Sequence, residues 1–294
     1  MTNTRSAAPT ASKKACTGRK ALHFAVNGSI VAVLLVYSLF PIYWLLTISL
    51  RSDADIQNGL SLFPHSLTLA NFASLFKKSN FGAALVNSFE VTLLSLAISL
   101  MLGLCCAYVI ARRRFQFCVK KPLTFWALLV RMLPPVAYTI PLYIMFSRMG
   151  VLGTKLPVIL ACIFIDTPLI IWFMLSFYQD MPVEIEESAK IDGATELQLF
   201  IRIVLPLVVP AIAAVSMLSF MYAWNEYTYS VIFVQTSENF TVPLSLAVLN
   251  TEDNLMQFGR VAAGGVLSVL PSALFVIFAQ NYLIAGLSNG AVKG

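Results

Sequence analysis

Apolar residues in this sequence come in long blocks that are almost free of charge. The block Val91–Ala111 contains no charged residue at all. A helix needs roughly 20 consecutive apolar residues to cross about 30 Å of hydrocarbon, and several blocks reach that length. The pattern predicts an all-α membrane protein with about six transmembrane helices, at 29–49, 85–111, 123–147, 157–178, 206–234 and 262–287.

The composition indicates that lipid is the solvent of this chain. Hydrophobic residues make up 58% of the 294 residues and charged residues 12%, with a mean hydropathy of +0.79. Soluble domains carry about 25% charged residues, so this chain lacks the polar surface that water requires. Residues 1–28 are predicted to form a cytoplasmic N-terminal tail. The apolar segment after the tail is too long for a signal peptide, so we expect a retained first span and one transmembrane domain over 29–294.

Positive charge is distributed unevenly between the predicted loops. Thirteen Lys and Arg residues fall on the side of the N-terminus and six on the opposite side. Cytoplasmic loops carry the excess of these residues, and the triplet Arg112–Arg114 directly after the second span is the strongest anchor. Both termini are therefore predicted to be cytoplasmic, together with the loop 179–205. No basic run alternates with aromatic residues, so nucleic acid is not an expected partner.

The loop 179–205 begins with the signals of a short helix. Pro182 suits the first helical position, where its missing N–H has no cost. Glu184, Glu186 and Glu187 crowd the first turns, which complements the positive end of a helix. Gly193 is a natural stop, because glycine accepts the left-handed conformation that follows a helix.

A second short helix is predicted directly after this stop. Thr195 and Gln198 form a capping-box pattern, and Pro206 is expected to open the next span. On these residues alone the loop is either a solvated connection or a docking site for a separate soluble partner. The apolar residues of the second helix that are available for burial are Leu197, Phe200, Ile201 and Val204.

The same loop carries a family signature. Glu187-Ser188-Ala189 is followed after three residues by Gly193, and after nine more by Ile203-x-Leu205-Pro206. This pattern resembles the EAA signature of the permeases of binding-protein-dependent ABC importers, and more narrowly the sugar-importer branch related to the maltose permeases. Ser188 stands where the family prefers alanine, and it is small enough for the same packing. The likeness continues in Leu133-Pro134, Pro141-Leu142-Tyr143, Trp224-Asn225-Glu226 and the ending Gly286–Gly294.

The resemblance implies a division of labour between subunits in a bacterial cytoplasmic membrane. Such importers combine two permease chains, here expected to form a heterodimer, with two nucleotide-binding ATPase subunits and an extracytoplasmic solute-binding protein. The chain has no Gly-x-x-x-x-Gly-Lys-[Ser/Thr] phosphate loop, so we expect no enzyme activity and no bound cofactor, with ATP and Mg held by the partner ATPases. The loop is similar to the coupling helices that dock on the ATPase, which implies coupling contacts by Glu184, Glu187, Ser188, Ala189, Asp192, Gly193, Ile203, Leu205 and Pro206.

Ionisable residues inside the predicted spans mark a candidate translocation path, because each costs about 2.5–3.5 kcal/mol at a helix centre. Arg131 lies ~12 Å into the third span and Asp166 ~13 Å into the fourth from the opposite side. Their depths differ by about 5 Å in a core of about 30 Å, so they are expected either to pair or to face the cavity. A pair that only fixes helix packing is an equal alternative. Asn225 and Glu226 are further candidates, and no metal site is predicted.

Two other classes of membrane protein fit part of this pattern. A secondary transporter has similar broken helices and buried charges, but it usually shows internal repeats, which this sequence lacks. An intramembrane enzyme needs a nucleophile–base or metal constellation, and the two histidines, His23 and His65, offer little for one. The resemblance to the sugar-importer branch implies that the solute is a disaccharide, oligosaccharide or polyol, with a glycerol-phosphate-type solute as the second choice.

Overall fold

The computed structural model describes residues 11–57, 59, 61–112, 122, 125–127, 129–130, 132–249 and 258–290. The regular structure of this part of the chain is entirely helical. A π-helical segment covers Phe200–Val204 and a 3₁₀ turn covers Ser237–Asn239. The α-helices are α1 (Ala11–Ser49), α2 (Asp53–Gln57), α3 (Ala70–Lys78), α4 (Phe81–Arg112), α5 (Pro135–Arg148), α6 (Leu156–Asp180), α7 (Val183–Ile191), α8 (Glu196–Leu199), α9 (Leu205–Leu207), α10 (Val209–Trp224), α11 (Thr228–Phe233), α12 (Val242–Leu249) and α13 (Phe258–Gly290).

The described residues contain several helices that are long and apolar enough to cross a membrane. A bent pair, Glu196–Leu207 and Val209–Phe233, adds a further candidate with an angle of 78° between its parts. The all-helical membrane fold is therefore confirmed. The third predicted span, 123–147, lies partly outside the described residues, so the count of six and the side of the termini stay predictions. The four straight candidates are Val26–Ser49, Phe81–Arg112, Leu156–Asp180 and Phe258–Gln280.

Helices α4 and α6 form the centre of the bundle and run parallel to each other. Arg112, at the end of α4, donates to the carbonyl of Met181 just after α6. At the opposite end, Lys155 directly before α6 donates to the side chain of Asn87 in α4. The contact between the two helices is the most extensive in the bundle. We call the end that carries residues 181–205 the loop end and the opposite end the far end.

Gly103 allows the close contact between α4 and α6. A Cβ atom at this position would lie 2.5 Å from Cγ2 and 2.7 Å from Cβ of Ile170 in α6. Real Cβ atoms do not approach other carbon atoms so closely, so any larger residue would push the two helices apart. Small residues have this role in many membrane helix pairs, because they let the backbones approach.

Two parallel helices require the chain between them to return along the bundle. The chain leaves α4 at the loop end and enters α6 at the far end, so residues 113–155 carry it back. The described part of this return includes α5, whose Phe146 lies edge-on against Phe233 with ring centroids 5.3 Å apart. Of the remaining long helices, α10 packs against α4 and α6, α13 packs against α10, and α1 packs against α13.

Polar side chains fasten the connections at the far end. Asn71 of α3 donates to the carbonyls of Ser49 and Arg51, at 2.9 and 2.7 Å. Asn87 of α4 donates to the carbonyls of Glu238 and Phe240, at 2.7 and 3.0 Å. The connections before α3 and after α11 are therefore fixed to the bundle.

Candidate functional site

The predicted coupling loop folds as two helices that meet at a sharp turn. Helix α7 ends in a Schellman motif, in which the N–H of Gly193 bonds the carbonyl of Lys190 and the N–H of Ala194 bonds that of Ala189. Gly193 has a φ of +84°, which is the left-handed conformation that the sequence predicts. Asp192 is the cap residue just before it. The chain thus leaves α7 abruptly and starts α8 three residues later.

Helix α8 starts with the predicted capping box. The Gln198 N–H lies 3.3 Å from Thr195 Oγ1, and the Gln198 side chain accepts from the Thr195 N–H at 3.0 Å. At the start of α7 the prediction is off by one residue. Pro182 is the cap residue and Val183 the first helical residue.

The predicted burial of the second helix is partly wrong. Leu197 and Ile201 are exposed, whereas Leu199 and Val204 are fully buried. The physical reason is the π-helical segment at Phe200–Val204. A π-turn shifts the period from about four to five residues, so the buried face passes through positions 199 and 204.

The start of the next span also differs from the prediction. Pro206 lies within α9, and the membrane helix α10 begins at Val209 after the 78° bend. The segment Glu196–Leu207 is therefore an arm nearly perpendicular to the span it precedes.

A nearly buried ion pair fixes the loop to α4. Arg112 Nε lies 2.6 Å from Glu186 Oε1, and the two side chains are 13% and 7% exposed. Arg112 Nη2 also donates to the carbonyl of Met181 at 2.9 Å. Tyr108 Oη donates to Glu186 Oε2 at 3.1 Å, and its ring lies 5.0 Å from that of Phe200. These groups tie α4 to both sides of the turn, and we call Arg112, Glu186 and Tyr108 the latch.

The latch was not predicted from the sequence. From the sequence, Arg112 is only a marker of orientation, and Glu186 is one of three equivalent carboxylates at a helix start. The sequence did contain a signal. Arg112 stands at the end of one span and Glu186 directly precedes the EAA signature, and an arginine and a glutamate can form an ion pair.

The predicted coupling residues divide between an outer and an inner face of the loop. Ala189 is buried against the bundle, Ile203 and Leu205 are half-buried, and Pro206 is exposed. Ser188 is exposed, and its hydroxyl donates to the carbonyl of Glu184 at 2.8 Å, so serine fits the position within its own helix. The exposed members of the predicted set are Glu184, Glu187, Ser188, Asp192, Gly193 and Pro206.

Exposed apolar side chains stand next to these polar groups. Ile191 is 86% exposed and Leu197 is 67% exposed, one on each side of the turn at Gly193. A surface that mixes apolar side chains with carboxylates on a fixed backbone is suited to docking. We call Glu187, Ile191, Gly193 and Leu197 the docking corner.

The structure describes only one member of the predicted pair of intramembrane charges, Asp166. Asp166 is fully buried in α6, and its helix neighbours Cys162 and Ile165 belong to a buried apolar cluster. Arg131 lies outside the described residues. The pairing of Arg131 with Asp166 therefore stays a prediction.

The structure places Asn225 and Glu226 at the break between α10 and α11. The buried carboxylate of Glu226 accepts from the N–H of Tyr229 at 2.6 Å, and from the N–H and hydroxyl of Ser230 at 3.1 and 2.9 Å. It thus caps the start of α11, where a negative charge is favourable. Asn225 is exposed and donates to the carbonyl of Met221 at 2.7 Å. Their place in the translocation path stays a prediction.

Comparison with known proteins assigns this fold to a family. Residues 99–288 match the family described as the binding-protein-dependent transport system inner membrane component. The chain belongs to this family and is a multi-pass permease of the inner membrane. The family predicted from the loop signature is therefore confirmed, in preference to a secondary transporter or an intramembrane enzyme.

Individual relatives extend over almost the whole chain. The trehalose transport system permease protein SugB of Mycobacterium tuberculosis is 31% identical over 277 residues, which cover 94% of this chain and 99% of the relative. The melibiose/raffinose/stachyose import permease protein MelC of Bacillus subtilis is 30% identical over 270 residues, covering 90% and 95%. A solved bacterial ABC transporter involved in alginate import matches with a TM-score of 0.75 at 18% identity, over 94% of this chain and 99% of that one. At this identity the structural match shows the shared fold.

Proposed function

We propose that this permease carries a disaccharide, oligosaccharide or polyol across the cytoplasmic membrane as part of an ABC importer. The full-length relatives support the solute class, because their names specify trehalose and the melibiose, raffinose and stachyose group. The solute is received from an extracytoplasmic binding protein and released by alternating access. The two arrangements of the bundle are selected by differential affinity for ATP-bound partners.

The proposed coupling to an ATPase subunit is supported mainly by the docking corner. Ile191 and Leu197 are exposed on a backbone that the Schellman turn, the capping box and the latch hold in one conformation. A preorganised apolar corner loses little conformational entropy when it binds a cleft. The loop thus passes the movement of a separate ATPase subunit to α4, α6 and α10.

The chain acts as a transport subunit without an ATPase site of its own. Its partners are a second permease, two ATPase subunits that hold ATP and Mg, and the binding protein. Closure of the ATPases moves the docking corner, and the latch transmits that movement directly to α4.

The test is assembly and transport by the complete complex in proteoliposomes. Leu197→Asp should prevent copurification of the ATPase subunits, because a charge would enter an apolar contact. Leu69→Asp is the matched control, since Leu69 lies at the far end and is 68% exposed against 67% for Leu197. Normal copurification and ATP-driven uptake by the Leu197→Asp complex would show that the corner is not the docking site.

The solute class is tested separately with the cognate binding protein. A thermal-shift screen against disaccharides, oligosaccharides and polyols identifies the ligand, and uptake of that labelled ligand should require ATP. A binding protein stabilised only by a solute of another class would overturn the proposed substrate.

A further inference from the structure

We propose that a turn at the far end, residues Ser61–Pro64, inserts into the adjacent lipid leaflet and contacts its acyl chains. The turn belongs to the connection between α2 and α3. This proposal requires that α1 spans the membrane and that no partner protein covers the turn, and it is independent of the transported solute and of the ATPase partners.

The position of the turn along α1 indicates its depth. Tyr43 Oη donates to the carbonyl of Leu62 at 2.7 Å. Tyr43 comes six residues before Ser49, the last residue of α1, and so lies ~9 Å back along the helix. The span Val26–Ser49 has 24 residues, or about 36 Å, against about 30 Å of hydrocarbon. A centred span therefore places the backbone of Tyr43 about 6 Å inside the hydrocarbon boundary, and Leu62 contacts the side chain of this residue.

The carbonyl groups of the turn are prepared for a medium without water. Arg51 Nη2 donates to the carbonyl of Ser61, and Ser61 Oγ donates to the carbonyl of Phe63 at 2.5 Å. Together with the bond from Tyr43, three consecutive carbonyls of the turn have donors within the chain. Lipid cannot bond to an exposed carbonyl, whereas water can, so internal pairing is required only for backbone that leaves water.

The side chains of the turn have the opposite character to its backbone. Leu62 is 58% exposed and Phe63 is 74% exposed. In water this arrangement is unfavourable, because the apolar groups face the solvent while the polar groups face the protein. In a leaflet the same arrangement is favourable, and it extends the exposed apolar surface of α1.

A buried arginine holds the turn in this place. Arg51 is fully buried, and its guanidinium lies 5.7 Å from the centroid of the Trp44 ring on α1. The His65 N–H donates to Asp55 Oδ2 of α2 at 3.1 Å, which directs the chain back from the turn. Residue 63 is thus placed beside α1 and residue 65 beside α2.

The test uses a photoreactive diazirine amino acid at position 63 and, separately, at position 65. The assembled importer is placed in phosphatidylcholine nanodiscs and irradiated, and the adducts are identified by mass spectrometry. The carbene inserts into water, lipid or protein, whichever is adjacent. The same label at the exposed position Val36 of α1 is the reference for lipid contact, and it also reports whether the labelled chain is inserted correctly.

We expect the ratio of lipid to water adducts to be at least about tenfold higher at position 63 than at position 65. Full burial of a Phe side chain shifts its partition by at least about this factor. Water adducts at position 63, with lipid adducts at position 36, would overturn the proposal. Adducts of position 63 to the binding protein or the second permease would overturn it equally, because they would show a protein-covered surface.

Discussion

Replacement of Glu186 by alanine should release the coupling loop from α4 and leave the membrane bundle folded. The carboxylate accepts from Arg112 and from Tyr108, so alanine removes both contacts of the latch at once. The covalent connections of the loop to α6 and α10 are unchanged. The expected effect is therefore a local opening of α7, and not a global loss of structure.

The size of this effect follows from the burial of the pair. Removing one member of a buried ion pair costs about 3–5 kcal/mol, because the other charge is left without its partner. Arg112 keeps its bond to the carbonyl of Met181, so we expect the lower value of about 3 kcal/mol. At about 1.4 kcal/mol for each factor of ten, the open population of α7 should rise roughly a hundredfold. Glu186→Gln keeps the shape and one acceptor but removes the counter-charge of Arg112, so its cost should be about 1.5–3 kcal/mol, no more than that of alanine.

Amide hydrogen exchange of residues 183–191 in lipid nanodiscs measures this opening. The control is Glu196→Gln in the pair Lys190–Glu196, whose exposed side chains lie 2.7 Å apart. Exposed pairs contribute about 0–1 kcal/mol, so this variant should change exchange by about fivefold or less. The double variant Arg112→Met/Glu186→Leu should recover most of the protection, because it leaves no unpaired charge. Exchange of Glu186→Ala no faster than that of Glu196→Gln would refute the reasoning.

Three further predictions concern single positions. Gly193→Ala should destabilise the turn by about 1–2 kcal/mol through its positive φ alone, since nothing lies within 4 Å of an added Cβ. Gly193→Arg should in addition abolish stimulation of the partner ATPase, and unchanged stimulation in proteoliposomes would contradict the coupling role. Thr195→Ala should cost about 1 kcal/mol and speed amide exchange at Gln198, whereas Thr195→Ser should not. Gly103→Val should lower the thermal midpoint in detergent by forcing α4 away from Ile170, at about 1–3 kcal/mol, and Ile170→Ala in the same chain should recover part of the loss.

The features predicted correctly from the sequence depend on interactions within a few residues. The stop at Gly193 requires only the left-handed preference of one residue, and the start at Thr195 requires only the reach of its side chain to Gln198. The length of the apolar blocks depends on the thickness of the bilayer alone. The membrane fold and the turn of the coupling loop could therefore be predicted without knowledge of the tertiary structure.

The features that were missed depend on contacts between distant parts of the chain. Glu184, Glu186 and Glu187 are chemically alike, and only the position of Arg112 at the end of α4 selects Glu186 for the latch. The burial of Leu199 in place of Leu197 follows from a π-turn, which no residue pattern in the loop specifies. The role of Glu226 as a cap depends on the break after Trp224, which the apolar pattern of the fifth span does not show.

The bend at Val208 gives the loop a mechanical property. The arm Glu196–Leu207 is about 18 Å long and helix α10 about 24 Å, at about 1.5 Å per residue. The arm makes an angle of 78° with the segment Val209–Phe233, which contains α10. Two helical segments joined near a right angle form a lever. A displacement of the first segment along the membrane normal then moves the end of the second segment sideways within the bilayer. With these arm lengths, a rise of about 2 Å at Glu196 would swing Trp224 by about 3 Å. A small movement at the loop end thus becomes a larger lateral displacement at the far end of the bundle.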